Sequence, residues 1–147
     1  MSDLNRFLKA QNDAYENALS ELRSGKKNSH WMWFIFPQIK GLGRSSTSEY
    51  YGIENAEEAK AYLANSILGA RLLECTKAVI DIPRRSAKDF FRKRAAKDIF
   101  GSTDELKLKS SMTLFSLVAP HEPSFRLVLD KYFDGEKDTR TIELLSR

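Results

Sequence analysis

The polar residues that follow the most apolar run of the chain are the first candidates for chemistry. Arg44 comes after two glycines in the segment KGLGRSSTSE, and Ser45 and Ser48 follow it closely. A guanidinium offers a planar fork of donors, hydroxyls offer further donors, and a helix starting after them would offer free backbone N–H groups. These residue types predict an anion-binding loop, with Gln38 as a further ligand contact.

This loop lacks a known nucleotide motif. GLGRSS matches neither GxGxxG nor the phosphate loop that ends in Gly-Lys-Ser/Thr. A structural interpretation also fits the same residues: Arg44 would pair with a nearby carboxylate while the serines cap a helix. The sequence leaves both interpretations open.

A second polar set lies in the segment DELKLKSSMTLF, where Lys107, Lys109, Ser110 and Ser111 are candidate ligand contacts. On a helix, Lys107, Ser110, Ser111 and Leu114 recur at i, i+3, i+4 and i+7, so the stripe that should face the protein is partly polar. Small hydroxyls there either permit close helix packing or line a pocket opposite the Arg44 loop. The sequence does not choose between these two roles.

The aromatic run WMWFIF supplies two further candidates, Trp31 and Trp33, as stacking surfaces for a ligand. Aromatic runs are more often core. His30 precedes the run and is a catalytic candidate because histidine titrates near neutral pH. Ser29 beside it does not form a nucleophile–base pair with it, since adjacent side chains on a helix diverge. A structural histidine packed against tryptophans is the alternative.

Metal and cofactor chemistry find little support in the residue types. The two histidines, His30 and His121, are far apart in sequence, and one cysteine does not make a zinc site. A carboxylate-only magnesium site stays open, although no acidic cluster points to one. We predict no metal and no cofactor.

The segment 84–97, RRSAKDFFRKRAAK, holds seven basic residues and one acidic residue. A basic stretch with aromatics can bind nucleic acid, and it can equally be a solvated helix face whose phenylalanines reach the core. The modest net charge of +4 and the lack of a recognisable motif argue against nucleic acid.

Composition describes an ordinary globular protein. The chain has 147 residues, 41% hydrophobic and 30% charged, which suits one domain over residues 1–147. The longest apolar run is far too short to span a membrane, and the N-terminus lacks a signal-peptide pattern. A single cysteine, Cys75, indicates a reducing compartment, so we predict a cytoplasmic protein with no membrane partner. The oligomeric state stays open.

Apolar residues recur with helical spacing, and β-branched alternation is missing, so the sequence predicts an all-α fold of about six to eight helices with no significant β-sheet. Asp3, Ser29, Asn55 and Ser86 are predicted helix caps, and so are Ser102, one of Ser46 and Thr47, and one of Asp138 and Thr139. The predicted helices cover about 3–24, 29–36, 47–51, 56–64, 66–79, 87–99, 103–118, 124–133 and a short segment after 138. A strand over 31–36 is the alternative for the aromatic run.

Four segments together resemble an uncharacterised bacterial family whose members are often labelled "calpastatin". They are SHWMWFIFPQIKGLGRSSTSEYYGI, EAKAYLANSILGARLLEC, IFGSTDELKLKSSMTLF and YFDGEKDTRTIELL, which span nearly the whole chain. The resemblance implies a small multihelical fold and no established activity. The inhibitor that carries this label is a disordered protein, whereas the apolar periodicity here predicts a folded one. The segment from Asp89 to Lys97 departs from the family pattern by being longer and more basic.

Ser48-Glu49-Tyr50-Tyr51, followed by helices and the KLKSSMTLF segment, is similar in order to proteins of NAD and ADP-ribose metabolism that carry a Ser-x-Glu element before an aromatic residue. This similarity implies that Glu49 is an acid/base catalyst, that Arg44 contacts phosphate, and that Trp31 or Trp33 stacks on the ligand.

Taken together, these patterns predict a polar cleft between residues 29–51 and the helix that carries Lys107. The predicted function is binding, with or without hydrolysis, of a small anionic ligand such as a nucleotide or an ADP-ribose derivative. The alternatives are a protein–protein interaction module, and a nucleic-acid-binding protein that acts through residues 84–97.

Overall fold

The computed structural model describes residues 3–82 and 99–147, and regular structure there is helical, which confirms the predicted all-α class. The only β pairing in these ranges is an isolated parallel bridge between Ile39 and Ile53. The basic segment 84–97 and the predicted helix 87–99, except for Ile99, lie outside the described residues. The helices are α1 (Asn5–Ser24), α2 (Met32–Ile35), α3 (Ser46–Tyr50), α4 (Ala56–Ala64), α5 (Leu68–Ile80), α6 (Ser102–Val118), α7 (Ser124–Phe133) and α8 (Thr139–Leu145).

Two predicted N-caps and the predicted end of the first helix are confirmed. The side chain of Asn55 accepts a hydrogen bond from the backbone N–H of Glu58 at 2.9 Å and starts α4. Asp138 accepts one from the backbone N–H of Thr141 at 3.0 Å and starts α8. Gly25, with φ of 79°, ends α1 in the left-handed conformation that glycine adopts without strain.

Four predicted caps are wrong in position. Asp3 is not the N-cap of α1, which is Leu4, although the Asp3 side chain accepts from the backbone N–H of Asn5 at 3.0 Å. Ser29 does not cap a helix, because α2 begins only at Met32 and the Ser29 hydroxyl donates instead to the Glu21 carboxylate. Ser45, rather than Ser46 or Thr47, caps α3 by accepting from the backbone N–H of Ser48 at 3.2 Å. Ser102 is already the first residue of α6.

The core is one apolar cluster with α6 running through it, in contact with α2, α4, α7 and α8. Aromatic rings link the helices across the cluster: Phe7 to Tyr62 at 5.1 Å between centroids, Tyr62 to Phe115 at 5.7 Å, and Phe115 to Phe125 at 5.7 Å. Large buried rings in edge or tilted contact contribute strongly to stability. This cluster fixes α6 as the rigid wall against which the polar loop lies.

The bridge between Ile39 and Ile53 holds the two ends of the Arg44 loop together. The backbone N–H of Lys40 donates to the carbonyl of Ile53, and that of Ile53 donates to the carbonyl of Gln38, both at 2.8 Å. Gly52 permits this approach, because a Cβ there would lie 2.8 Å from the Cα of Lys40. None of the helices in the described ranges combines the length and the apolarity needed to cross a membrane.

Candidate functional site

A cavity of about 430 Å³ lies between the loop segment 38–52 and α6. This volume suits a small metabolite. The predicted ligand contacts that line the cavity are Trp33, Gln38, Arg44, Ser45, Ser48, Lys107 and Ser110, and the other lining residues are Ile39, Leu42, Gly43, Tyr51, Gly52, Thr103, Leu106 and Asp138. The structure thus brings the two polar sets of the sequence, about sixty residues apart, to one concave surface.

Lys107 places a positive charge at the wall formed by α6. Its ammonium lies 5.4 Å from the centroid of the Trp33 ring and 3.3 Å from Asp104 Oδ1. The other oxygen of Asp104 is 2.8 Å from the ammonium of Lys27. Because two lysines share one carboxylate, this cluster keeps an excess positive charge beside the Trp33 ring.

Arg44 supplies a second cation from the loop side. Its exposed side chain makes no hydrogen bond or ion pair with any residue in the described part of the chain, so the ion pair with a nearby carboxylate is not formed there. The serines behave as the structural interpretation expected. Ser45 caps α3, the Ser45 and Ser48 hydroxyls lie 2.9 Å apart, and the Ser48 backbone N–H is therefore already occupied. An anion at this loop would meet the Arg44 guanidinium, while the backbone N–H of Ser48 would not be available to it.

Asp138 is a lining residue that the sequence identified only as a helix cap. One of its oxygens, Oδ2, accepts from the Thr141 backbone N–H at 3.0 Å and also from the Thr141 hydroxyl. The hydroxyl of Ser110 lies 3.2 Å from the same oxygen. Oδ1 accepts no hydrogen bond from the described residues. The position of Asp138 beside Ser110 depends on how α8 packs on α6, and no local pattern in the sequence signals it.

Tyr51 is a second lining residue that was missed as a ligand contact. Its ring contacts Phe34, with 5.4 Å between centroids, and Phe7, with 5.9 Å. Burial, and then the nearby Tyr50, raise the pKa of the Tyr51 hydroxyl above its ordinary value. The phenol therefore stays protonated at neutral pH and can donate a hydrogen bond.

Three predicted ligand contacts lie away from the cavity. Trp31 is 1% exposed in the core, and its indole N–H donates to Glu21 Oε1 at 2.9 Å. Ser111 is 0% exposed, packed inside the helix bundle. Lys109 pairs with Glu136, in the connection between α7 and α8, with 3.1 Å between Nζ and Oε1. A ligand in the cavity does not reach Trp31 or Ser111, because the core encloses both.

The two predicted catalytic residues are not brought to the cavity either. His30 is exposed on the connection before α2. Glu49 lines a different cavity of about 660 Å³, together with Arg6, Lys40 and several carboxylates. The structure therefore does not assemble Glu49 and His30 around the space that Arg44 and Lys107 line. Among the described residues, no group of three or more His, Cys, Asp and Glu side chains is placed to hold a metal ion.

Two comparisons with known proteins find relatives. A solved structure, the conserved hypothetical protein Rv1873 from Mycobacterium tuberculosis, superposes with a TM-score of 0.90 and 45% sequence identity over 99% of this chain and 97% of that one. Comparison with curated protein sequences finds no match. The profile described as "Protein of unknown function (DUF1810)" matches residues 1–145. Since that match spans almost the whole sequence, the chain belongs to the DUF1810 family.

Proposed function

We propose that the cavity between the Arg44 loop and α6 binds a small anionic metabolite such as a nucleotide or an ADP-ribose derivative. The observation that supports this most directly is the pair of cations on its opposite walls. Arg44 is free of any partner among the described residues, and Lys107 shares a single carboxylate with Lys27. A pocket that presents one unpaired cation and one whose charge is only partly compensated is suited to a phosphate group.

Aromatic side chains beside the cations support a ligand that also carries a ring. Trp33 is half-buried, with the ammonium of Lys107 over its ring. The ring of Tyr51 is held by contacts with Phe7 and Phe34. Rigid aromatic surfaces bind a planar group without losing much side-chain freedom. A phosphate between Arg44 and Lys107 and a base against Trp33 would fill the available volume.

Hydrolysis of the ligand is the less supported half of the proposal, because Glu49 and His30 do not line the cavity. A protein-interaction module that uses the tryptophans is also weakened, since Trp31 is enclosed in the core. The nucleic-acid alternative rests on residues outside the described part of the chain.

A cytoplasmic location and a bacterial origin are also part of the proposal. The buried cysteine Cys75, which forms no disulfide, supports the location, and the similarity to the mycobacterial protein supports the origin.

The test is ligand binding measured by thermal shift and calorimetry, with inorganic phosphate, adenosine 5′-monophosphate and ADP-ribose as probes. We expect at least one nucleotide to raise the unfolding temperature, because a ligand that binds only the folded state stabilises it. Arg44→Ala and Lys107→Met should each weaken that binding by about tenfold, the loss of one charge-assisted contact. Added salt should weaken it further.

Matched controls are Arg126→Ala and Lys60→Met, which remove the same charges from exposed positions on α7 and α4. These variants should bind like the wild type. The proposal fails if no probe stabilises the protein at millimolar concentration, or if the cavity variants and the control variants bind equally well.

A further inference from the structure

The Asp138 carboxylate is out of place in a cavity that binds only an anion. It lines the same cavity as Arg44 and Lys107, and its charge would repel a phosphate. Its oxygens are used unequally: Oδ2 is held by Thr141 and approached by the Ser110 hydroxyl, while Oδ1 accepts nothing from the described residues. A carboxylate fixed through one oxygen leaves the other as a rigid, unoccupied acceptor.

The position of Asp138 relative to Lys107 sets the shape of a ligand that would use both. Ser110 lies three residues after Lys107 on α6, a rise of about 5 Å between their backbone positions, and the carboxylate lies beside the Ser110 hydroxyl. The Lys107 ammonium extends the other way along the helix, toward Asp104, so the two charged groups are more than one helical turn apart. A sugar phosphate can bridge such a separation, because its anionic group and its free hydroxyls lie at opposite ends of the sugar. An ammonium donor fits less well at Asp138, because it would lie close to two other cations.

We propose that the ligand is a sugar phosphate or nucleotide with free sugar hydroxyls, and that Asp138 Oδ1 accepts a hydrogen bond from one of them. This inference rests on the proposed function and adds a selectivity to it. Arg44 and Lys107 hold the phosphate, and Asp138 selects for a neutral donor and against a second anionic group. A ligand without the hydroxyl leaves the carboxylate desolvated and unpaired, which lowers its affinity.

Asp138→Asn isolates this interaction. Asparagine caps helices as well as aspartate does, so its amide oxygen can keep the hydrogen bond from the Thr141 N–H and α8 should still start at the same place. The amide nitrogen then takes the position of Oδ1 and replaces an acceptor by a donor. Asp13→Asn, at an exposed position of α1, is the matched control.

The experiment titrates adenosine 5′-monophosphate and its 2′,3′-dideoxy counterpart into the wild type and both variants by calorimetry. The wild type and Asp13→Asn should prefer the ribonucleotide by about tenfold or more, the effect of one hydrogen bond to a charged group. Asp138→Asn should reduce this preference by weaker binding of the ribonucleotide, because the amide N–H can give the sugar hydroxyl only a weaker neutral hydrogen bond, while the dideoxy compound binds equally well or better.

Equal binding of the two nucleotides by the wild type, or the same preference in Asp138→Asn, overturns the inference. Inorganic phosphate separates this failure from failure of the proposed function. If phosphate binds in an Arg44-dependent manner while no ribose preference exists, only the inference about Asp138 fails. If neither phosphate nor any nucleotide binds, both fail. Unchanged thermal unfolding of Asp138→Asn without ligand verifies that the variant is folded.

Discussion

Glu21 organises the turn from α1 into the aromatic run. Its carboxylate accepts hydrogen bonds from the backbone N–H groups of Asn28 at 2.7 Å and Ser29 at 3.0 Å, and from the Trp31 indole at 2.9 Å. Asn17 donates to the second oxygen at 3.0 Å. A buried carboxylate with this many donors is strongly held in its charged form. It fixes Trp31 inside the core, and the next turn of chain then presents Trp33 to the cavity.

Replacing Glu21 by glutamine should destabilise the protein in a pH-dependent way. Burial alone would raise the pKa of this carboxyl, but hydrogen bonds from Ser29, Asn28 and Trp31 outweigh burial and lower the pKa from 4.5 to about 2. Because the folded pKa lies below the unfolded one, the stabilisation is complete above the unfolded value and is lost as the pH falls through 4.5 toward 2. Glu21→Gln should lower the free energy of unfolding by roughly 3 kcal/mol at neutral pH.

Urea denaturation across the acidic range measures this effect as the difference between wild type and variant. That difference should shrink as the pH approaches the folded pKa, because the wild-type carboxyl becomes protonated there. Glu16→Gln, exposed on the same helix, should change stability by less than about 0.5 kcal/mol. A difference that stays constant with pH would mean that the charge of Glu21 does not stabilise the fold.

Among the elements, the junction of α4 and α5 depends on the absence of one side chain. Gly69 lies in the first turn of α5, and a Cβ on it would be 2.1 Å from the backbone carbonyl oxygen of Leu63. Asn65 closes the junction, since its side chain accepts from the backbone N–H groups of Ile67 and Leu68, both at 3.0 Å. No side-chain adjustment can relieve a clash with backbone, so any larger residue must push the helices apart.

Gly69→Ala should therefore destabilise the protein by about 2–3 kcal/mol, the usual effect of overpacking a tight contact, although alanine is the better helix former. Thermal or urea unfolding measures the change. Gly101→Ala is the informative comparison, because Gly101 has φ of 85° and no atom of the described residues lies within 4 Å of where its Cβ would be. It should cost about 1–3 kcal/mol through backbone conformation alone, because φ of 85° and ψ of 164° lie in a region that is essentially confined to glycine. Unchanged or raised stability of Gly69→Ala would refute the steric argument.

The elements also show how far the sequence predicts this fold. Helix identity and most ends follow from local signals, such as the caps at Asn55 and Asp138 and the left-handed Gly25. The Ser29 cap was mispredicted because a distant partner, Glu21, competes for its hydroxyl. The bridge of Ile39 with Ile53 is one residue pair long, and periodicity cannot reveal it.

The candidate site, like the fold, is only partly predictable from the sequence. Arg44, Lys107 and Trp33 were predictable as residue types, because cations and aromatics beside a glycine-containing loop suit an anionic ligand. The sequence does not predict whether Trp31 or Trp33 faces the core, because the choice depends on the hydrogen bond from Trp31 to Glu21. Asp138 and Tyr51 reach the cavity only through the packing of α8 and the contacts of Phe7 and Phe34.

At the scale of the whole molecule, Cys75 offers a probe of how the fold opens. The thiol is 0% exposed on α5, in the middle of the core cluster. Burial, as the main cause, raises its pKa to about 12, well above its ordinary value. The thiolate is the reactive species, so the native thiol should be inert on two grounds, inaccessibility and protonation.

Labelling of Cys75 by an aromatic disulfide reagent should therefore proceed only from molecules that have unfolded, and its rate should follow the unfolded population. A nucleotide that binds the cavity should slow labelling by the factor by which it lowers that population, about 100-fold at a concentration of 100 times Kd. Cys75→Ala establishes the background of the assay.

Rapid labelling of the native protein, or labelling that a bound nucleotide does not slow, would show that α5 opens locally without global unfolding. Protection that follows the calorimetric affinity would instead show that the cavity wall at α6 and the core around Cys75 unfold as one cooperative unit, as expected from the aromatic contacts that join α1, α4, α6 and α7.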